Sequence, residues 1–226
     1  MLRRITMRKS AFAAVVLNVA FVAPAAATVV GQWNMDNDFG TTMADTSGTG
    51  NNGTTYNVVT SGSGYIFDGT SKAVVPNSAS LIPGTNDFSY SAQIQTNRVP
   101  PLGTDYDIVR KGTGATTGGE FKLEIVLNRG VGKAYCVVRD TVGNVATIRG
   151  LTNVTDGQLH TLTCTKTATS FTLQVDSLAP QQKSAAVGSI TNTKELTIGV
   201  KTATITGTAG DWYYGTIRSA SVSVGP

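Results

Sequence analysis

The clearest signal in the chain is alternation. Over residues 88–96 the apolar Phe88, Tyr90, Ala92 and Ile94 interleave with Ser89, Ser91, Gln93 and Gln95. Successive side chains on a strand point to opposite faces, so this pattern predicts a strand buried on one side. A second signal spans residues 156–176. There His160, Leu162, Cys164 and Lys166 share one side of a run, and Phe171, Leu173 and Val175 share one side of the next. The connection between the runs, Thr167-Ala168-Thr169-Ser170, is short, so the pair predicts an antiparallel hairpin.

Comparable runs recur at residues 29–34, 65–69, 73–75, 107–112, 120–127, 134–140, 145–150, 194–199 and 214–224. Turn residues separate them, including Asn128-Arg129-Gly130 and Val142-Gly143-Asn144 within a predicted meander. No run repeats with a helical period. About a dozen short strands joined by Gly-rich turns predict an all-β fold of two antiparallel sheets packed face to face. Trp33, Phe67, Leu123, Ile125, Phe171, Leu173 and Ile198 are the expected inner-face residues.

The start of the chain changes how its charge is read. Arg3, Arg4, Arg8 and Lys9 precede an apolar run over residues 11–22, and Pro24-Ala25-Ala26-Ala27 supplies an A-x-A-type cleavage signal. Residues 1–27 are therefore expected to be a secretory signal peptide, and residues 28–226 one extracellular domain. No later stretch approaches the ~20 apolar residues of a membrane span. The chain has 18 Lys and Arg against 14 Asp and Glu, and removing the leader's four basic residues leaves 14 against 14. The positive charge thus belongs to the leader, and no nucleic-acid partner is expected. Cys136 and Cys164 each sit in a predicted strand, and in an exported chain they are expected to bridge across neighbouring strands.

The order of signals over residues 156–176 resembles the laminin-G-like, concanavalin-A-like jelly-roll family: an Asp156-Gly157 turn, His160, a Leu/Cys strand, and a strand ending Val175-Asp176. Leu159 and Ser177 stand where that family has Trp and Gly. The resemblance continues through Asp45-Thr46-Ser47-Gly48, Asn51-Asn52-Gly53, Phe67-Asp68-Gly69, Leu196-Thr197-Ile198-Gly199 and the terminal run over residues 214–224, and so covers residues 30–224. It implies a jelly-roll sandwich and places His160 in a structural strand. It also implies a calcium ion near the first loop, with Asp36, Asp45, Asp68 and Asn51 as oxygen donors. Arg218 stands where the family has Asp on the last strand and would repel a cation; the alternative to calcium is that its guanidinium replaces the ion and pairs with Asp36 or a neighbour.

Catalytic machinery is sparse. Glu120, Glu124 and Glu195 form no Glu-x-Asp-x-Glu motif, and no Gly-x-Ser-x-Gly elbow exists. The Asp105-x-Asp107 pair has strand parity but falls at a loop edge, where turn-forming or solvated aspartates are expected. Aromatics are concentrated in Asp211-Trp212-Tyr213-Tyr214, with Tyr65 and Tyr106 elsewhere. Sugar C–H faces stack on such rings while carboxylates accept from hydroxyls, so Trp212, Tyr213, Tyr106, Asp105 and Asp107 are the expected ligand-binding residues. The expected role is non-catalytic recognition of a polysaccharide or an extracellular protein. The alternatives are a polysaccharide-cleaving enzyme using His160, Tyr106, Asp105 and Asp107, and a purely structural or adhesion protein.

Overall fold

The computed structural model describes residues 27–36, 40–205 and 210–225. Apart from Ala27, the expected leader lies outside them. No helix among the described residues is long and apolar enough to cross a membrane.

Strands make up about half of the described residues. Thr28–Asn34 (β1), Thr42–Met43 (β2), Gly53–Tyr56 (β3), Val59–Thr60 (β4), Tyr65–Asp68 (β5) and Lys72–Val75 (β6) precede a 3-10 turn at Ala79–Leu81. Phe88–Gln95 (β7), Asp105–Lys111 (β8), Glu120–Asn128 (β9), Val131–Arg139 (β10) and Val145–Arg149 (β11) follow. The chain ends with Leu159–Lys166 (β12), Ser170–Val175 (β13), Gln181–Ser184 (β14), Leu196–Ile198 (β15) and Tyr214–Val224 (β16).

These strands form two antiparallel sheets. The first runs β14-β13-β12-β7-β16-β5-β4, with β1 also paired to β16, and the second runs β11-β10-β9-β8-β15-β6-β3-β2. Burial alternates residue by residue along β7 and along β12, as the sequence pattern predicts. The seven expected inner-face residues are all buried. Between the sheets Phe88, Tyr90 and Phe121 form a ring cluster with centroids 5.0–5.8 Å apart.

Cys136 on β10 and Cys164 on β12 form a disulfide with a Cα–Cα distance of 6.0 Å. Their strands belong to opposite sheets, so the bridge spans the core instead of joining neighbours within a sheet. Chain entropy assigns the closed loop about 3–4 kcal/mol.

A β-bulge decides what the second sheet presents on its outer face. On β8 the register with β9 shifts between Asp107 and Val109, so Asp107 faces Glu124 while Arg110 faces Lys122. Residues directly opposite each other share a face, which puts Asp105, Asp107 and Arg110 on the same side as Lys122 and Glu124. Strict alternation would have turned Arg110 toward the core.

Candidate functional site

The charged row on the outer face of β8 and β9 is covered. Asp107 is 0% exposed, and Arg110, Glu120 and Glu124 are 4%, 4% and 2% exposed. The segment leading into β16 lies over this row. The Asp107 amide donates to the Asp211 carbonyl at 2.9 Å, and the Gly199 amide donates to the Ile108 carbonyl at 3.0 Å. Arg110 answers two carboxylates at once, with Nη1 2.9 Å from Asp107 Oδ2 and Nη2 2.9 Å from Glu120 Oε2. Lys122 pairs with Glu124, and Lys201 Nζ lies 2.6 Å from Asp211 Oδ2.

Carboxylates still crowd the row. Oxygens of Asp105, Asp107 and Asp211 come within 4.8 Å of one another. Burial pushes Asp107 up to about 6 against the opposing pull of Arg110, and pushes Glu124 up to about 8 against Lys122. Asp105 is raised by its own burial; Lys122 opposes this and Asp211 adds to it. Asp105 Oδ1 is buried with no hydrogen-bond partner.

Above Asp105 the surface opens into a groove of about 800 Å³, lined by Tyr56, Lys72, Asp105, Tyr106, Asp211, Trp212 and Tyr214 among others. The rings come from distant parts of the chain. Tyr56 and Lys72 face each other across β3 and β6, and Lys72 Nζ sits 5.4 Å from the Tyr56 ring and 5.9 Å from the Trp212 ring. Tyr106 and Tyr214 pack with centroids 5.5 Å apart, and the Arg98 guanidinium lies 4.9 Å from the Tyr214 ring. Gly69 makes room for this wall: a Cβ there would meet the Tyr214 ring at 2.2 Å, and its φ of +89° is a glycine conformation.

The expected ligand-binding residues divide. Trp212, Tyr106 and Asp105 line the groove. Asp107 lies buried beneath it and serves Arg110. Tyr213 is fully buried, packed edge-on to Phe67, and Tyr214 takes the place on the wall that Tyr213 was expected to fill. Tyr65 is likewise a core residue. The expectation that Asp105 and Asp107 are solvated turn residues is corrected, since both lie on a strand and Asp107 is wholly buried.

Among the described residues, the carboxylates expected around calcium, Asp36, Asp45 and Asp68, are not gathered with their oxygens within 4.8 Å of one another. Asp45 already accepts from the amides of Gln32, Ser47 and Asn51 and from the hydroxyls of Ser47 and Thr49. Asp68 Oδ1 accepts from Thr70 and Ser71, and Asp36 is exposed on its own turn. Arg218 donates Nη2 to Gln95 Oε1 at 3.2 Å, and among the described residues no carboxylate lies within ion-pair distance of it.

His160 lies outside the groove, on the first sheet. Its Nδ1 is 2.8 Å from Asp176 Oδ2 and its Nε2 is 3.0 Å from Asp156 Oδ1. Both ring nitrogens are therefore committed to closing the hairpin. Burial works to lower the His160 pKa, but the two carboxylate hydrogen bonds outweigh it and raise it.

No family model matches the chain, and neither does any curated protein. Solved structures do. The receptor-binding domain of botulinum neurotoxin mosaic serotype C/D superposes with a TM-score of 0.62 at 14% identity, over 86% of this chain and 47% of that one. Domain 4 of an extracellular arabinanase from Geobacillus stearothermophilus, in complex with arabinotriose, gives 0.56 at 13% identity, over 88% and 93%. Trypanosoma rangeli sialidase in complex with sialic acid gives 0.58 at 14% identity, over 86% and 30%. The chain thus spans about half of the neurotoxin fragment and most of the arabinanase domain. At these identities the likeness establishes the antiparallel sandwich.

Proposed function

We propose that the protein is a glycan-recognition module that acts outside the cell and holds a saccharide in the groove on its second sheet. The observation that carries this reading is the groove's make-up, with Tyr56, Trp212 and Tyr214 as apolar walls above an Asp105 oxygen that has no partner. Rings stack on the C–H faces of a sugar, and a buried lone acceptor gains most from an incoming hydroxyl. That the similar structures include an arabinanase domain solved with arabinotriose is in keeping with it. Calorimetric titration with neutral oligosaccharides tests the assignment. Trp212→Ala is expected to weaken binding at least ~10-fold, in line with aromatic anchors elsewhere; unchanged affinity would remove the groove from the account.

Cleavage of the bound saccharide is the second reading. It is favoured by the placing of Asp105 beside Asp211, with oxygens within 4.8 Å of each other, since two neighbouring carboxyl groups can divide the roles of acid and base. Release of reducing ends from a polysaccharide would support it, and release undiminished in Asp105→Asn would refute it.

A further inference from the structure

The outer face of the second sheet continues past the groove. Asp105 faces Val126 on β9, and Val126 faces Lys133 on β10, so the three lie on one line across the strands. The next line runs through Asp107, Glu124, Tyr135 and Arg149. Neighbouring strands are about 4.8 Å apart, which sets Lys133 about 10 Å from Asp105. At that end Asn128, Arg129, Lys133, Arg149 and Leu151 help enclose a cleft of about 390 Å³.

The cleft gathers three cations without an answering charge. No carboxylate lines it, and among the described residues no ion pair uses Arg129, Lys133 or Arg149. Lys133 Nζ donates to the Leu151 carbonyl at 2.6 Å, which fixes its head group at the cleft. Arg129 opens the two-residue turn between β9 and β10 with a φ of +50°. Asn or Gly suits that position, whereas an arginine is strained there, and strain of this kind collects where a side chain is put to use. Like charges held together repel, and a bound anion removes that cost.

We propose that this cleft is a second subsite, which takes the carboxylate or sulfate of an acidic oligosaccharide whose neighbouring sugar lies in the aromatic groove. The inference rests on the groove reading and adds the class of glycan. The guanidinium forks of Arg129 and Arg149 match a planar carboxylate or two sulfate oxygens, while Lys133 adds a point charge. Half-buried Tyr135, on the Arg149 line, offers a ring to the sugar between the two sites.

The test is calorimetry on the full chain with paired probes: oligogalacturonate beside its methyl ester, and a sulfated chondroitin oligosaccharide beside its desulfated form. The charged member of at least one pair is expected to bind about 10-fold tighter, with a preference that shrinks as salt rises. The pair that shows the preference identifies carboxylate or sulfate. In the Lys133→Gln, Arg149→Gln double variant the preference is expected to vanish while the neutral probe keeps its affinity, and Arg149→Lys alone is expected to retain part of it. Unchanged melting temperatures confirm that both variants fold. Equal binding within both pairs overturns the subsite and leaves the groove standing. Binding of none of the four probes overturns both readings. Equally tight binding of a single-stranded oligonucleotide of the same charge overturns the glycan assignment.

Discussion

Two clusters of ionisable side chains are built into this sandwich, and they are finished differently. On the first sheet His160 is clasped between Asp156 and Asp176, and Asp176 also accepts from the Thr161 amide at 2.8 Å. Every polar atom of the imidazole is used, and the clasp ties β12 to the end of β13. On the second sheet Arg110, Lys122 and Lys201 serve Asp107, Glu120, Glu124 and Asp211, and Asp105 Oδ1 is left over. The closed cluster holds a hairpin. The open one has an acceptor to spare, and it is the one that lies under a groove.

The contrast is broken most forcefully at Arg110. Its guanidinium donates to both Asp107 oxygens, to Glu120 and to the Gly112 carbonyl, all out of water. Arg110→Met strands two buried carboxylates, and a loss of about 3–5 kcal/mol is expected in chemical denaturation. Adding Asp107→Asn and Glu120→Gln in that background should recover part of the loss, because the cost lies in the unpaired charges more than in the missing attraction. A destabilisation under ~1 kcal/mol would mean that the row is more hydrated than its burial states.

His160→Gln is expected to cost less, about 1–1.5 kcal/mol at pH 5, since both partner aspartates are about a third exposed and solvent screens them. The folded-state pKa of His160 is raised above 6.5. Its contribution is therefore fully present below pH 6.5 and fades as pH rises through the raised value. Stability measured from pH 5 to 8 should show the gap between wild type and variant narrowing. A gap that widens would refute the clasp.

Glu124 titrates in the same sense for the opposite reason. Burial lifts it from 4.5 to about 8, so wild-type stability drains away as pH rises across that window. Glu124→Gln removes the penalty, and a gain on the order of 1 kcal/mol at pH 8 is expected, vanishing near pH 4. His160→Gln flattens only the part of the curve above pH 6.5, so the two variants separate the clusters.

How much of this was legible in the chain follows from what alternation can carry. The period-two pattern of β7 and β12 marks both strands and their inner faces, and the seven expected core residues are where that pattern puts them. The two cysteines pair, but across the core, because a strand's own pattern does not say which sheet it joins. The bulge at Asp107 is silent in the sequence, so Asp105 and Asp107 read as loop-edge residues until the register shift brings Arg110 to their side. Trp212, Tyr213 and Tyr214 are adjacent, and three rings in a row hold no alternation to say which faces inward. Tyr56 and Lys72 reach the groove from strands far away in the chain, with no local sign at all.

The smallest expected change in stability is also the one that best separates the two clusters. Asp105→Asn keeps the shape of the side chain and removes a charge that burial already disfavours. Denaturation should therefore shift by no more than ~0.5 kcal/mol, and in the favourable direction at pH 8. Binding should respond differently, because an amide lacks the ionised acceptor that a sugar hydroxyl would meet at the groove floor. Neutral-oligosaccharide affinity is expected to fall about 10–150-fold, the range for losing a hydrogen bond to a charged group. His160→Asn, by contrast, should weaken the fold and leave affinity alone. If Asp105→Asn costs stability instead of affinity, the spare oxygen serves the sheet, and the two clusters are variants of one structural device.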